Sequence, residues 1–268
     1  RKTFVDEATG KTICSWYDAE RKGQLIDTQT SYALPLAFHV VDGDLQKKMA
    51  AHLAAAIKTP MAGYPAYSLL TGFIGTAWIS KALSDNGMSE EAYRLLQYEG
   101  YPSWLYPVKN GATTIWERLN SYTVKDGFGE NNSMNSFNHY SFGAVASWMY
   151  NYSLGICRDE KSPGFKHFIL KPEVDPTRGI THAEGYYDSM YGRISSRWQY
   201  TDSGIRYEFT VPANTTASLY LPAPAVSFIS ENGKPLKKAS GVRYVSADKE
   251  LHHLELASGS YQFDIKQK

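Results

Sequence analysis

The chain has 268 residues, and its 28 lysines and arginines nearly balance 27 aspartates and glutamates, which leaves no electrostatic footprint for nucleic acid or an anionic membrane. That length can bury a sizeable core and suits two modest domains. Aromatic residues make up 14% of the chain, and the 20 tyrosines pair an apolar ring with a hydroxyl, a chemistry that suits strand packing and also a neutral, polar, ring-shaped ligand.

The sequence begins at Arg1 with neither Met nor a signal-peptide pattern, which suggests a processed product or a piece of something longer. From about Gln29 to Gly155 the apolar spacing is helical. Ser31 to Val41 reads as a helix kinked at Pro35, and Asp42-Gly43-Asp44 ends it and caps the next helix, Leu45 to Ile57. Thr59-Pro60 breaks that helix. A second pair follows: Gly72 to Leu83 is apolar on most sides, Asn86-Gly87 turns, and Glu90 to Tyr98 is amphipathic with acids in its first turn. Ser136 to Leu154 reads as a third buried helix, preceded by an irregular region from Tyr101 to Tyr122. Alternating buried and amphipathic helices describe a double layer with open ends, so the array looks incomplete.

After Cys157 the pattern changes to short segments of period-two alternation: Phe168 to Leu170, Ala183 to Tyr187, Gly192 to Gln199, Ile205 to Val211 and Ala217 to Leu221, then Val226 to Ile229, Val242 to Val245, Leu251 to Leu256 and Tyr261 to Ile265. Turn signals such as Asp202-Ser203-Gly204 and Asn232-Gly233 separate them. This is the grammar of an antiparallel β-sandwich. The expected organisation is α+β and multidomain, with a helical domain over residues 1–158 and a C-terminal β-sandwich domain over 159–268.

Aromatic platforms, a carboxylate and an imidazole fall close together between Tyr101 and Gly143, a combination suited to holding and hydrolysing a sugar. Glu117 is the candidate carboxylate: the Asn110-Gly111 turn and small hydroxyl residues before it predict a loop entering a helix. Its ordinary alternative is a salt bridge to Arg118 or a helix N-terminal charge. His139 is placed on one helix face with Asn135 and Gly143, with a satisfied core histidine as the alternative. Trp104 and Trp116 are expected to be the sugar platforms because their backbone reads as irregular, whereas Trp78 and Trp148 suit the core. The sequence contains no nucleophile elbow, P-loop, dinucleotide fingerprint or zinc-protease motif. With Cys14 and Cys157 as the only cysteines, there is no disulfide framework, although one pair could bridge, and no metal or other cofactor is expected. The most apolar run, Phe142 to Ile156, is too short and too interrupted to cross a bilayer. Asn131, Asn151 and Asn214 head weak glycosylation sequons.

Six blocks appear in order: Leu70-Thr71-Gly72-Phe73-Ile74-Gly75-Thr76, Gly87-Met88-Ser89-Glu90-Glu91-Ala92-Tyr93, Tyr101-Pro102-Ser103-Trp104, Gly111-Ala112-Thr113-Thr114-Ile115-Trp116-Glu117, Asn138-His139-Tyr140-Ser141-Phe142-Gly143 and Pro163-Gly164-Phe165-Lys166. Together they resemble the C-terminal part of bacterial α-L-rhamnosidases, from about Gln29 through Trp198. The resemblance implies the C-terminal half of an (α/α)6 helical barrel followed by a β-sandwich, and inverting hydrolysis of terminal α-L-rhamnosides. It implies Glu117 as the general base that activates water, and His139 as a contact to bound rhamnose. It also implies a general acid in an earlier block rich in Asp, Arg and Glu, of which this sequence holds no copy; Asp126 and Glu130, the nearest local carboxylates, lack that pattern. The expected partners are a rhamnose-containing oligosaccharide or glycoside and the N-terminal remainder of a parent chain, and a periplasmic or extracellular location is favoured. Two rival readings are a non-catalytic carbohydrate-binding or assembly fragment, and a helical-barrel glycosidase of another specificity.

Overall fold

The structure, a computed structural model, describes residues 3–15, 20–129 and 133–266 and divides into two compact units, Arg1–Ala146 and Ser147–Lys268. The first unit opens with a small antiparallel sheet that the sequence reading did not foresee: β1 (Val5–Asp6), β2 (Lys11–Ile13) and β3 (Leu25–Ile26), in that order. Side chains clasp it to the helices. Lys11 Nζ pairs with Asp27 at 2.6 Å, the Tyr32 hydroxyl donates to Asp27 at 2.7 Å, and the buried Tyr32 ring stacks on His52 with centroids 5.3 Å apart.

Four helices follow, at the predicted places: α1 (Gln29–Ala37), α2 (Gly43–Lys58), α3 (Phe73–Asp85) and α4 (Ser89–Gln97). Thr28 and Ser31 form a capping box at the start of α1. That helix stops at Ala37, short of the expected Val41, because His39 takes a left-handed φ of 53° just past Pro35. The α3–α4 turn uses Gly87 at φ 74°, where a side chain would be strained. Glu91 of α4 is buried, and Lys58 at the end of α2 pairs with it. A short α5 (Leu105–Lys109) interrupts the region read as irregular.

The expected helix over Ser136 to Leu154 is shorter. Ser136 to Tyr140 is not helical; a 3-10 turn at Ser141–Ala144 leads into α6 (Val145–Trp148) and a π-helical turn at Met149–Ser153. The reason lies in where the backbone bonds go. The N–H of His139 donates to Ile115 O at 2.9 Å and that of Glu117 to Ser136 O at 2.9 Å, so these groups bond sideways to another segment and not along a helix.

The second unit contains β4 (Ile156–Arg158), β5 (His167–Leu170), β6 (His182–Ser189), β7 (Gly192–Thr201) and β8 (Gly204–Val211). It continues with β9 (Thr216–Pro222), β10 (Ile229–Glu231), β11 (Lys234–Pro235), β12 (Val242–Asp248), β13 (Leu251–Leu256) and β14 (Gly259–Lys266). They form a six-stranded sheet, β11-β10-β14-β8-β7-β6, and a five-stranded sheet, β12-β13-β9-β5-β4. Every pairing is antiparallel except β5 with β9, which runs parallel. Each sheet buries alternate residues. Ile194, Ser196 and Trp198 of β7 and Tyr207, Phe209 and Val211 of β8 point into the core from one sheet; Ala217, Leu219 and Leu221 of β9 do so from the other. The Trp198 indole N–H donates to Ser153 O at 2.9 Å, so this fully buried ring leaves no polar atom unpaired. The expected strands occur except Val226 to Ile229, where Val226–Phe228 forms a 3-10 turn and only Ile229 enters β10; β4 and β11 were not expected.

Candidate active site

Polar side chains first fix the loops that make the site. Gln29, at the start of α1 and 1% exposed, donates to Ala56 O and Ser68 O at 3.2 and 2.9 Å and accepts from Leu70 N–H at 2.8 Å. One buried amide thereby ties the end of α2 to the segment that leads into α3. Leu69 N–H donates to Pro102 O at 2.8 Å, and the Trp104 indole donates to Phe142 O at 2.9 Å. A continuous set of hydrogen bonds thus runs from α1 through residues 68–70 and 102–104 to Phe142.

The chain between α5 and α6 supplies the chemistry. Gly111, at φ 86°, makes the turn after α5. The chain from Thr114 to Glu117 then lies beside Ser136 to His139, joined by the two backbone bonds described above and by the Thr114 hydroxyl donating to Phe137 O. Glu117 is therefore not at a helix entrance, as expected, but at a bend in irregular chain. Its Oε2 accepts from Ser136 N–H at 3.0 Å, which fixes the carboxylate direction. The Arg118 guanidinium bonds to Met134 O at 3.1 Å and Asn135 Oδ1 at 3.2 Å.

Glu117 lines an open cleft of about 580 Å³ with Tyr64, Phe73, Tyr101, Arg118 and Phe142. It is the single carboxylate among the described residues lining that cleft. Burial pushes the Tyr101 phenol above its ordinary pKa, reinforced by neighbouring Tyr64, so its hydroxyl stays protonated and able to donate. His139 does not line the cleft itself; its ring stacks on Phe73, which does, with centroids 4.7 Å apart. Its Nδ1 accepts from Ser141 N–H at 3.4 Å. The expected helix face shared by Asn135, His139 and Gly143 does not form, because Asn135 and His139 precede the helical turn.

Trp104 and Trp116, expected as sugar platforms, are 8% and 6% exposed and do not line the cleft. The Trp104 N–H is held by Phe142 O, and Trp116 packs edge-on against Phe137 and Tyr122 with centroids 5.2 and 6.4 Å apart. Irregular backbone left these large rings as wall material, while Tyr64, Phe73, Tyr101 and Phe142 present themselves to the cleft. Tyr64 and Gln29 were not singled out from the sequence. Neither carries a local signal, since each acts through residues distant in the chain. Asp126 bonds within its own turn, to Thr123, and does not line the cleft. Glu130 and the Asn131-Asn132 sequon positions lie outside the described residues. Cys14 and Cys157 are not joined in a disulfide, and among the described residues no cluster of three or more His, Cys, Asp or Glu could hold a metal ion. Among the same residues no helix is long and apolar enough to cross a membrane.

Comparison with known proteins connects this geometry to a family. Residues 2–153 match the bacterial alpha-L-rhamnosidase 6 hairpin glycosidase domain, and residues 155–235 match the bacterial alpha-L-rhamnosidase C-terminal domain. An alpha-L-rhamnosidase of Streptomyces avermitilis is 35% identical over 248 residues, covering 92% of this chain and 22% of that protein. One from an Alteromonas species is 34% identical over 241 residues, covering 89% of this chain and 24% of that protein. The chain thus spans about a quarter or less of the length of these relatives. The crystal structure of the Streptomyces avermitilis alpha-L-rhamnosidase complexed with L-rhamnose is similar at TM-score 0.79 and 33% identity, over 95% of this chain and 22% of that one. The Dictyoglumus thermophilum alpha-L-rhamnosidase structure is similar at TM-score 0.77 and 26% identity, over 99% of this chain and 27% of that one. With more than half of its length matched by the six-hairpin domain and the following segment by the C-terminal domain, the chain belongs to the bacterial alpha-L-rhamnosidase family.

Proposed function

We propose that this chain is the C-terminal part of a glycoside hydrolase that releases terminal α-L-rhamnose from rhamnosides with inversion. The observation that carries this reading is Glu117: a carboxylate on a cleft wall, with one oxygen oriented by a backbone N–H and aromatic rings beside it. In this reading Glu117 removes a proton from the water that attacks the anomeric carbon, and His139, stacked on Phe73 of the cleft lining, contacts the bound rhamnose. Trp104 and Trp116 support the wall from behind and shape its contact with the sugar. An inverting site needs a carboxylic acid about 6.5 to 9.5 Å from the base to protonate the leaving oxygen. That acid comes from the N-terminal remainder of the parent chain, because the described part of the cleft has one carboxylate.

The architecture proposed with this function is half of an (α/α)6 barrel, residues 1–158, followed by a β-sandwich, residues 159–268, in a periplasmic or extracellular enzyme. The similarity to a rhamnosidase solved with L-rhamnose supports the substrate class. In the complete parent enzyme, Glu117→Gln should lower aryl α-L-rhamnoside turnover by roughly 10²- to 10⁴-fold, the usual scale of acid–base catalysis. Proton NMR of the first product anomer should show β-L-rhamnose. A loss of less than about threefold, or initial release of the α anomer, removes Glu117 from the role of base in an inverting pair.

The single carboxylate of the cleft also favours one rival, a fragment that binds sugar without hydrolysing it, in which Glu117 only accepts hydrogen bonds from hydroxyls. Calorimetry with L-rhamnose separates the two: binding by the complete parent enzyme with no turnover supports the rival.

A further inference from the structure

We propose that the outer face of the six-stranded sheet is a second carbohydrate-binding surface, whose ligand is an uncharged oligosaccharide. It rests on residues of the second unit alone and stands or falls independently of Glu117. The register of β6, β7, β8 and β14 sets two rows of side chains across four adjacent strands. One row is Tyr186, Ser195, Thr210 and Ser260, and the other is Glu184, Arg197, Glu208 and Gln262. Both rows line an open hollow of about 520 Å³. With strands about 4.8 Å apart, a row of four residues spans about 15 Å, the scale of a short oligosaccharide and not of one sugar.

The chemistry of the two rows is that of a sugar surface. Tyr186 is 50% exposed, and the Arg193 guanidinium lies 3.7 Å from its ring centroid. Arg193 is in turn held by Asp188 through bonds of 2.8 and 3.1 Å, so the ring is fixed in place while half of it stays open to stack on the C–H face of a pyranose. Three hydroxyls follow it along the same row, each able to donate and accept. In the second row Arg197 lies 3.7 Å from Glu184 and 3.3 Å from Glu208, and its Nη2 donates to Gln199 at 2.7 Å. Guanidinium, carboxylate and amide groups each offer two hydrogen-bonding sites side by side, which fits neighbouring hydroxyls of a sugar.

Charge selects against other ligands. Acids and bases interleave along the face, so neither sign accumulates to attract a polyanion or a basic peptide. A protein partner would require a cluster of apolar anchors, and among the described residues lining the hollow Tyr186 is the one exposed aromatic ring, Phe209 and Tyr261 being buried.

The test is an NMR titration of the ¹⁵N-labelled chain with cellotetraose, xylotetraose, mannotetraose and, as a charged probe, tetragalacturonate. At least one neutral tetraose is expected to shift the amides of Tyr186, Ser195, Thr210 and Ser260 at concentrations up to about 10 mM. Tyr186→Ala should weaken that binding by about tenfold or more, and Gln262→Ala should weaken it measurably; Glu117→Gln should leave it unchanged. If Tyr186→Ala fails to fold, Gln262→Ala decides. The proposal is overturned if no neutral tetraose shifts these amides, if tetragalacturonate alone does, or if neither variant that folds changes the affinity.

Discussion

Glu117 is oriented by backbone, not by a salt bridge to its neighbour: its own N–H and its Oε2 both bond to Ser136, at 2.9 and 3.0 Å. A peptide N–H fixes the direction of a carboxylate oxygen without a charged partner. Elsewhere a single residue carries a pH dependence. Burial raises the pKa of Asp27, but hydrogen bonds from Lys11 and Tyr32 outweigh it and hold the carboxyl below its ordinary 3.8. A depressed folded-state pKa contributes stability above the unfolded value, and that contribution is lost as pH falls through the folded one. Thermal melting of the chain should therefore lose a step of stability as pH drops below about 4, and Asp27→Asn should flatten that step while lowering the melting temperature near neutrality. Glu117 and His139 were legible as candidates from their chemistry and their setting. Which way Trp104 and Trp116 face was not, because an irregular backbone can carry a ring inward as readily as outward.

Between elements, α1 and α3 approach closely. A Cβ added at Gly75 would come within 2.3 Å of Thr30 Oγ1 and 3.0 Å of Thr30 Cβ. Gly75→Ala should therefore cost stability despite alanine's better helix propensity, by roughly 1–3 kcal/mol on the usual scale for overpacking. Denaturant unfolding measures it, and Thr30→Ala should recover part of the loss in the double variant; an unchanged or raised midpoint in Gly75→Ala would refute the tight crossing. The helices α1 to α4 and most strands were readable because each repeats its apolar residues with its own period. The stretch from Ser136 to Tyr140 misled the same reading. Its apolar residues suit a helix, but its backbone groups bond to residues 114–117, and periodicity carries no record of that choice.

For the whole molecule, the proposed reaction depends on a carboxylic acid outside this chain. Aryl α-L-rhamnoside hydrolysis by the chain alone should be at least about 10²-fold below that of a full-length relative, the scale of a lost general acid. Turnover near that of the relative would place the acid within these 268 residues and end the half-site reading. The order of elements, the helix-to-strand switch near Cys157, the turns and the candidate base could be read along the chain, since each depends on contrasts between near neighbours. The joining of Gln29 to Ser68 and Leu70, of Trp104 to Phe142 and of Glu117 to Ser136 could not. Those bonds link residues 19 to 41 positions apart. Their energy comes from satisfying polar groups once burial has removed water, a condition that exists only after the chain has folded.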